Sequence, residues 1–167
     1  MKTIAIFFLA FFISIGLCAC DRDNTHHQKI SIEVLKAFEQ KFPQAVAVEW
    51  EKMGHYYVAD FRAPLPEGKD GVKYEMEAWF DSSANWRMTV KDVTYDMLPQ
   101  VVKDGFTASN FGAWRVDDSD IVERNGKDTV YVLEVEHGNE DRYLYFNSRG
   151  ELTQERKNGA DDFRDLL

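Results

Sequence analysis

One pattern is written twice in this chain, and it constrains the fold more than any other feature. Glu77 to Trp86 reads EAWFDSSANW, and Tyr143 to Leu152 reads YLYFNSRGEL. In each, an alternating aromatic strand runs into a short polar turn. An apolar residue then follows the phenylalanine by six positions, Phe80 to Trp86 and Phe146 to Leu152. Such a segment is two strands joined by a tight turn. Its recurrence predicts a body built from two copies of one unit.

The first unit, residues 30–93, opens on Ser31, a plausible N-cap, with Glu33 in the first turn where a carboxylate suits the helix dipole. Ile32, Leu35, Phe38 and Phe42 recur at helical spacing as one apolar stripe. Pro43 ends the helix, because the residue before a proline avoids the α region. Four strands are expected next, over 45–53, 55–63, 73–81 and 85–91. The stretch 64–71 holds two prolines and two glycines and reads as a loop. The second unit, residues 94–158, repeats this order. Pro99 suits a helical first turn, Val102 and Phe106 share an inner face, and the eight-residue step from Phe42 to Trp50 recurs from Phe106 to Trp114. Its strands are expected at 115–124, 129–136, 142–146 and 151–156, with Asn125-Gly126 as a hairpin turn. Residues 159–167 form an acidic tail whose Phe163, Leu166 and Leu167 offer apolar contacts to the body. The fold class is therefore α+β, two tandem units each with a helix packed on a four-stranded antiparallel sheet.

The N-terminus argues for export. Lys2 is followed by an almost wholly apolar run from Ile4 to Leu17, too short for a comfortable membrane span. Residues 1–19 read as a signal peptide, and 17–20 (LCAC) resemble a lipobox, with Cys20 as the lipidated residue. Residues 20–29, including His26 and His27, are polar and unpatterned and read as a tether. Both cysteines of the chain lie at this signal, so the body has no disulfide and depends on its packed core. An apolar fraction of 44% suits a globular body, and 14% aromatic residues favour strands. The net charge of −9 argues against nucleic acid or an anionic membrane surface as partner. A basic protein surface or a cationic ligand is the easier match.

With both units in view, the chain resembles the PepSY-like, beta-lactamase-inhibitor-like lipoproteins best known from Bacteroidetes. The resemblance rests on a helix, a Phe-Pro pair (Phe42-Pro43), Trp50 on the first strand, and Glu75 to Asp81 (EMEAWFD) with Trp86 downstream. It covers about residues 31–157. The chain departs from the pattern at Ala84, where the turn usually carries glycine, and at Gly105-Phe-Thr, which stands in place of a second Phe-Pro pair. The resemblance implies two helix-on-sheet units. It also implies kinship of fold with secreted beta-lactamase inhibitory proteins, whose sheets present a concave surface to a target enzyme.

Strand alternation divides the side chains between two faces. With Phe80 and Phe146 toward the helices, the outer face carries Tyr56, Glu77, Trp79, Glu134, Tyr143 and Tyr145. Aromatics among carboxylates are what a protein-binding surface presents, although the same rings can simply pair across strands. No catalytic constellation is found. Glu75/Glu77 and Glu134/Glu136 imitate acid–base pairs, as chance dictates in so acidic a chain. Asp117 to Asp120 lack the spacing of a calcium loop, the four histidines are scattered, and no phosphate loop or nucleophile elbow appears. No cofactor and no metal is expected. The expected protein is a lipid-anchored, non-enzymatic envelope protein that binds a protein partner, an enzyme being one such partner. It would sit at the outer membrane on the periplasmic side or at the cell surface. The alternatives are a small-ligand or peptide sensor module and a structural envelope protein.

Overall fold

A computed structural model of the chain describes residues 30–66, 68–69, 71–157 and 163–167. The expected signal peptide, Cys20 and the tether to residue 29 lie outside the described residues. Helix α1 spans Ile32–Lys41, and Ser31 caps it, its hydroxyl accepting from the Val34 N–H at 3.2 Å. The stripe it buries is Val34 and Phe38, with Phe42 partly buried beyond its end, while Ile32 is 60% exposed. Of the expected Ile32–Leu35–Phe38–Phe42 stripe, Phe38 and Phe42 do face the core and Leu35 is half-buried, whereas Ile32 gives way to Val34. The rotation is set by the rings at the helix end. Phe38 meets Trp50 and Phe61 edge-on, at 5.2 and 5.0 Å between ring centroids, and Phe42 packs on Phe61 at 4.7 Å.

Four strands follow: β1 (Val46–Met53), β2 (Tyr56–Ala63), β3 (Tyr74–Asp81) and β4 (Trp86–Asp92). A 3-10 turn, Tyr95–Met97, leads to helix α2 (Gln100–Ala108), which buries Val102 and Phe106. The chain then forms β5 (Arg115–Arg124), β6 (Lys127–His137), β7 (Glu140–Phe146) and β8 (Leu152–Lys157), and ends in a second 3-10 turn, Phe163–Leu166.

The strands make one eight-stranded antiparallel sheet in chain order. The expectation of two four-stranded sheets is corrected at its seam, where β4 pairs with β5 from Met88↔Arg124 to Asp92↔Asp120. Two separate sheets would leave β4 and β5 as open edges, with unpaired backbone groups beside the buried side chains of Met88, Val90 and Val122. Pairing them removes both edges. Val34, Phe38, Val102 and Phe106 of the two helices join one core cluster with Phe61, Phe80, Leu133, Leu144 and Phe146, so both helices cover the same face.

The two aromatic turns have the same hydrogen bonds. The Asp81 carboxylate accepts from the N–H groups of Ser83 and Asn85, at 2.9 and 3.0 Å. The Asn147 side-chain oxygen accepts from Arg149 and Glu151, at 2.9 and 3.1 Å. Each turn needs one left-handed residue, and Ala84 (φ 63°) fills the seat that Gly150 (φ 76°) fills in the second. Gly105 is also explained. A Cβ there would lie 1.9 Å from the Gly150 carbonyl oxygen, so a glycine inside α2 lets the helix rest directly on the β7–β8 turn.

Candidate functional site

The face of the sheet away from the helices falls into two zones. The first is apolar. Val58, Trp79, Met88, Val90, Val122, Val132 and Tyr145 form a second buried cluster there, flanked by Tyr56 and Tyr143. A sheet with helices on one side only would leave these residues wet. Phe163, Leu166 and Leu167 pack onto the cluster and cover it. Three basic side chains hold this segment down: Lys127 Nζ donates to the Leu167 carbonyl at 2.6 Å, Arg124 Nη1 donates to that of Leu166 at 3.4 Å, and Arg156 pairs with Asp165 at 3.0 Å.

This covering segment alters the reading of the aromatic residues picked out above. Trp79 and Tyr145 lie on the outer face but are each only 2% exposed. Trp79 meets Tyr56 edge-on at 5.8 Å, and its indole N–H donates to the Glu77 carboxylate. Arg156 lies over the Tyr145 ring at 5.1 Å, while burial pushes the Tyr145 phenol above its usual range. Tyr56 and Tyr143 are half-buried. The surface within a partner's reach is therefore the second zone.

That zone is an acidic groove of about 440 Å³, lined by Glu49, Asp60, Glu75, Glu77, Asp92 and Asp120, with Arg62 as its basic residue. The strand register sets like charges opposite one another: Asp60 faces Glu49 on β1 and Glu77 on β3, and Asp92 faces Asp120 across the seam. Asp118 faces Glu134 further along, where Glu134 also faces Tyr143. Directly opposed like charges destabilise a sheet. Burial, aided by Glu51 and Glu49, raises the Asp60 carboxyl above its ordinary range. Burial with Asp118 and Glu75 does the same to Asp92. Arg62 offsets part of this charge through its ion pair with Glu75.

Glu77 and Glu134 thus lie in one acidic band crossing the seam. Asp92 was missed in the sequence reading, and Asp120 was weighed there only as part of a calcium loop. Each sits two residues from a buried valine, Val90 and Val122, so alternation places them outward, but their juxtaposition depends on the β4–β5 pairing. Asp117 to Asp120 lie within β5, with Asp117 ion-paired to Arg115 and the Asp118 carboxylate accepting from the Ser119 N–H. Among the described residues no group of three or more His, Cys, Asp or Glu is arranged to hold a metal ion. Nor, among them, is any helix long and apolar enough to cross a membrane.

Comparison with known proteins agrees with this architecture. Residues 67–154 match a family model described as beta-lactamase-inhibitor-like, PepSY-like. A BLIP-like protein from Bacteroides fragilis is 38% identical, with a TM-score of 0.71 over 84% of this chain and 96% of its own. A DUF2874 family protein from Bacteroides uniformis is 27% identical, with a TM-score of 0.70 over 81% and 94%. A protein from Bacteroides eggerthii, which its description assigns provisionally to the periplasm, is 25% identical, with a TM-score of 0.68 over 77% and 89%. No curated protein matches the chain.

Proposed function

Because the chain belongs to the beta-lactamase-inhibitor-like, PepSY-like family, we propose that it is a non-enzymatic binding protein of the cell envelope whose acidic outer groove takes a basic protein surface. The observation that carries this reading is the row of opposed carboxylates: Glu49–Asp60–Glu77 across three strands and Asp92–Asp120 across the seam. These pairs cost the free protein stability. A partner bringing lysine or arginine into the groove relieves that cost and gains charge-assisted hydrogen bonds. Tyr143, half-buried and opposite Glu134, offers aromatic contact at the edge of the acidic band, while Tyr56, Trp79 and Tyr145 belong to the apolar cluster beside Glu77's end of it. The family description makes an enzyme the first class of partner to test.

The lipobox-like stretch 17–20 supports anchoring through Cys20, which we place at the outer membrane, on its periplasmic side or at the cell surface, and the periplasmic description of one relative supports an envelope location. Residues 30–93 and 94–158 are read as two copies of one helix-and-four-strand unit. The matching hydrogen bonds of the Asp81 and Asn147 turns support this.

The test is capture of partners from an envelope extract of the source organism, using the mature body and an Asp60→Asn/Glu77→Gln/Asp92→Asn variant. The expected result is a short set of basic proteins held by the unaltered body, released by salt and lost with the variant. Identical partner sets for the two would contradict the proposal.

A further inference from the structure

The helix-covered face holds a polar site that packing does not account for. Lys41, in the last turn of α1 and exposed, lays its ammonium over the half-buried Trp86 ring, 3.7 Å from the centroid. Trp86 is itself fixed, its indole N–H donating to the hydroxyl of fully buried Thr89 at 2.9 Å. Lys91 sits on the same face of β4, its side chain only 15% exposed, and pairs with Glu123 on β5. Lys41, Lys91 and Glu123 all line a cleft of about 300 Å³ between the end of α1, the 64–66 loop and the sheet. A second cleft, of about 220 Å³, shares Leu65, Lys91 and Glu123 with the first and extends it toward Met97 and Tyr131. Together they reach the size range of small-molecule sites, about 300–1,000 Å³.

The charges here run against the rest of the protein. Two lysines meet one glutamate in a chain of net charge −9, leaving a local surplus of one positive charge. A lysine near a helix C-terminus is commonly explained by the helix dipole alone. That explanation does not require the ammonium to lie over an indole face and beside a second ammonium. Burial and Lys91 lower the Lys41 ammonium below the ordinary lysine range, although Glu123 acts the other way. One bound negative charge would complete the set. A monoanion balances the single surplus charge, whereas a phosphate dianion would exceed it and meet stronger repulsion from Glu123. Apart from Gln44, the remaining walls are apolar, with Phe42, Pro43, Leu65, Pro66 and Met76 among them.

We propose that this cleft binds a small monocarboxylate with an apolar body, its carboxylate facing Lys41 and Lys91 and its body against the 64–66 loop. The site lies on the face opposite the acidic groove and takes the opposite charge, so it stands or falls independently of the function proposed above.

Trp86 reports on occupancy through Lys41, whose ammonium lies over its ring. Octanoate is titrated into 15N-labelled mature protein while the Trp86 indole resonance, assigned by its loss in Trp86→Phe, is followed. Octanol serves as the uncharged control. The expected result is a saturable shift with octanoate that octanol does not reproduce. Lys41→Met should weaken it at least fivefold, and Lys36→Met, on the exposed side of α1, should leave it unchanged. Matching amide spectra for the two variants verify that each is folded. An unmoved indole, an equal response to octanol, or a Lys41→Met affinity within fivefold of the unaltered protein would overturn the proposal.

Discussion

Two single residues show how the same local demand is met differently in the two aromatic turns. Gly150 has φ 76°, and a Cβ there would lie 2.0 Å from the Val101 carbonyl oxygen. Gly150→Ala combines left-handed strain with displacement of α2, so it should destabilise by about 3 kcal/mol in urea unfolding. Ala84 already tolerates φ 63°. Ala84→Gly relieves that strain but adds unfolded-state entropy and removes a methyl group packed on the core. Its effect should therefore stay within about 1 kcal/mol of zero. At Asp60 the decisive term is charge. Its folded pKa is raised, chiefly by burial and then by Glu51 and Glu49. The ionised carboxylate therefore costs stability above the folded pKa, and the cost vanishes as pH falls toward the ordinary value of 3.8. Asp60→Asn should stabilise the protein at pH 7 and have little effect near pH 4. Urea midpoints at the two pH values check the sign, and equal gains at both would refute the electrostatic cause.

At the scale of elements, the sequence was legible wherever a local signal marks a boundary. The eight strands follow from alternation and from turns such as Asn125-Gly126, and Ser31 and Pro43 bracket α1. The rotation of α1 was not legible, because Ile32 and Val34 are equally apolar and only the contacts of Phe38 with Trp50 and Phe61 choose between them. The seam was not legible either, since the β4–β5 pair spans a helix and no turn residue announces it. The outer carboxylates could be assigned a face, but the opposition of Asp92 and Asp120 comes from that long-range pairing. The role of the last turn was least legible, as apolar residues in an acidic tail carry no sign of what they cover. Phe163 and Leu166 shield the Trp79–Tyr145 cluster. Replacing both with serine should lower stability by about 1–3 kcal/mol and raise binding of a hydrophobic dye. Unchanged stability and dye binding would mean that the segment does not cap the sheet.

At the scale of the whole molecule, one sheet separates two environments. The helix-covered face is core apart from charged side chains such as Arg142 on β7 and the Lys41, Lys91 and Glu123 group, and the outer face divides into a capped apolar zone and an acidic groove. A partner of this protein reads the groove and not the helices under the proposed function. Methyl cross-saturation with a captured partner tests it most directly. Val90 lines the groove, whereas Val101 is 49% exposed on α2, on the opposite face. The account predicts that saturating the partner attenuates the Val90 methyl signals and leaves those of Val101 at full intensity. Attenuation of Val101 with Val90 untouched would contradict it.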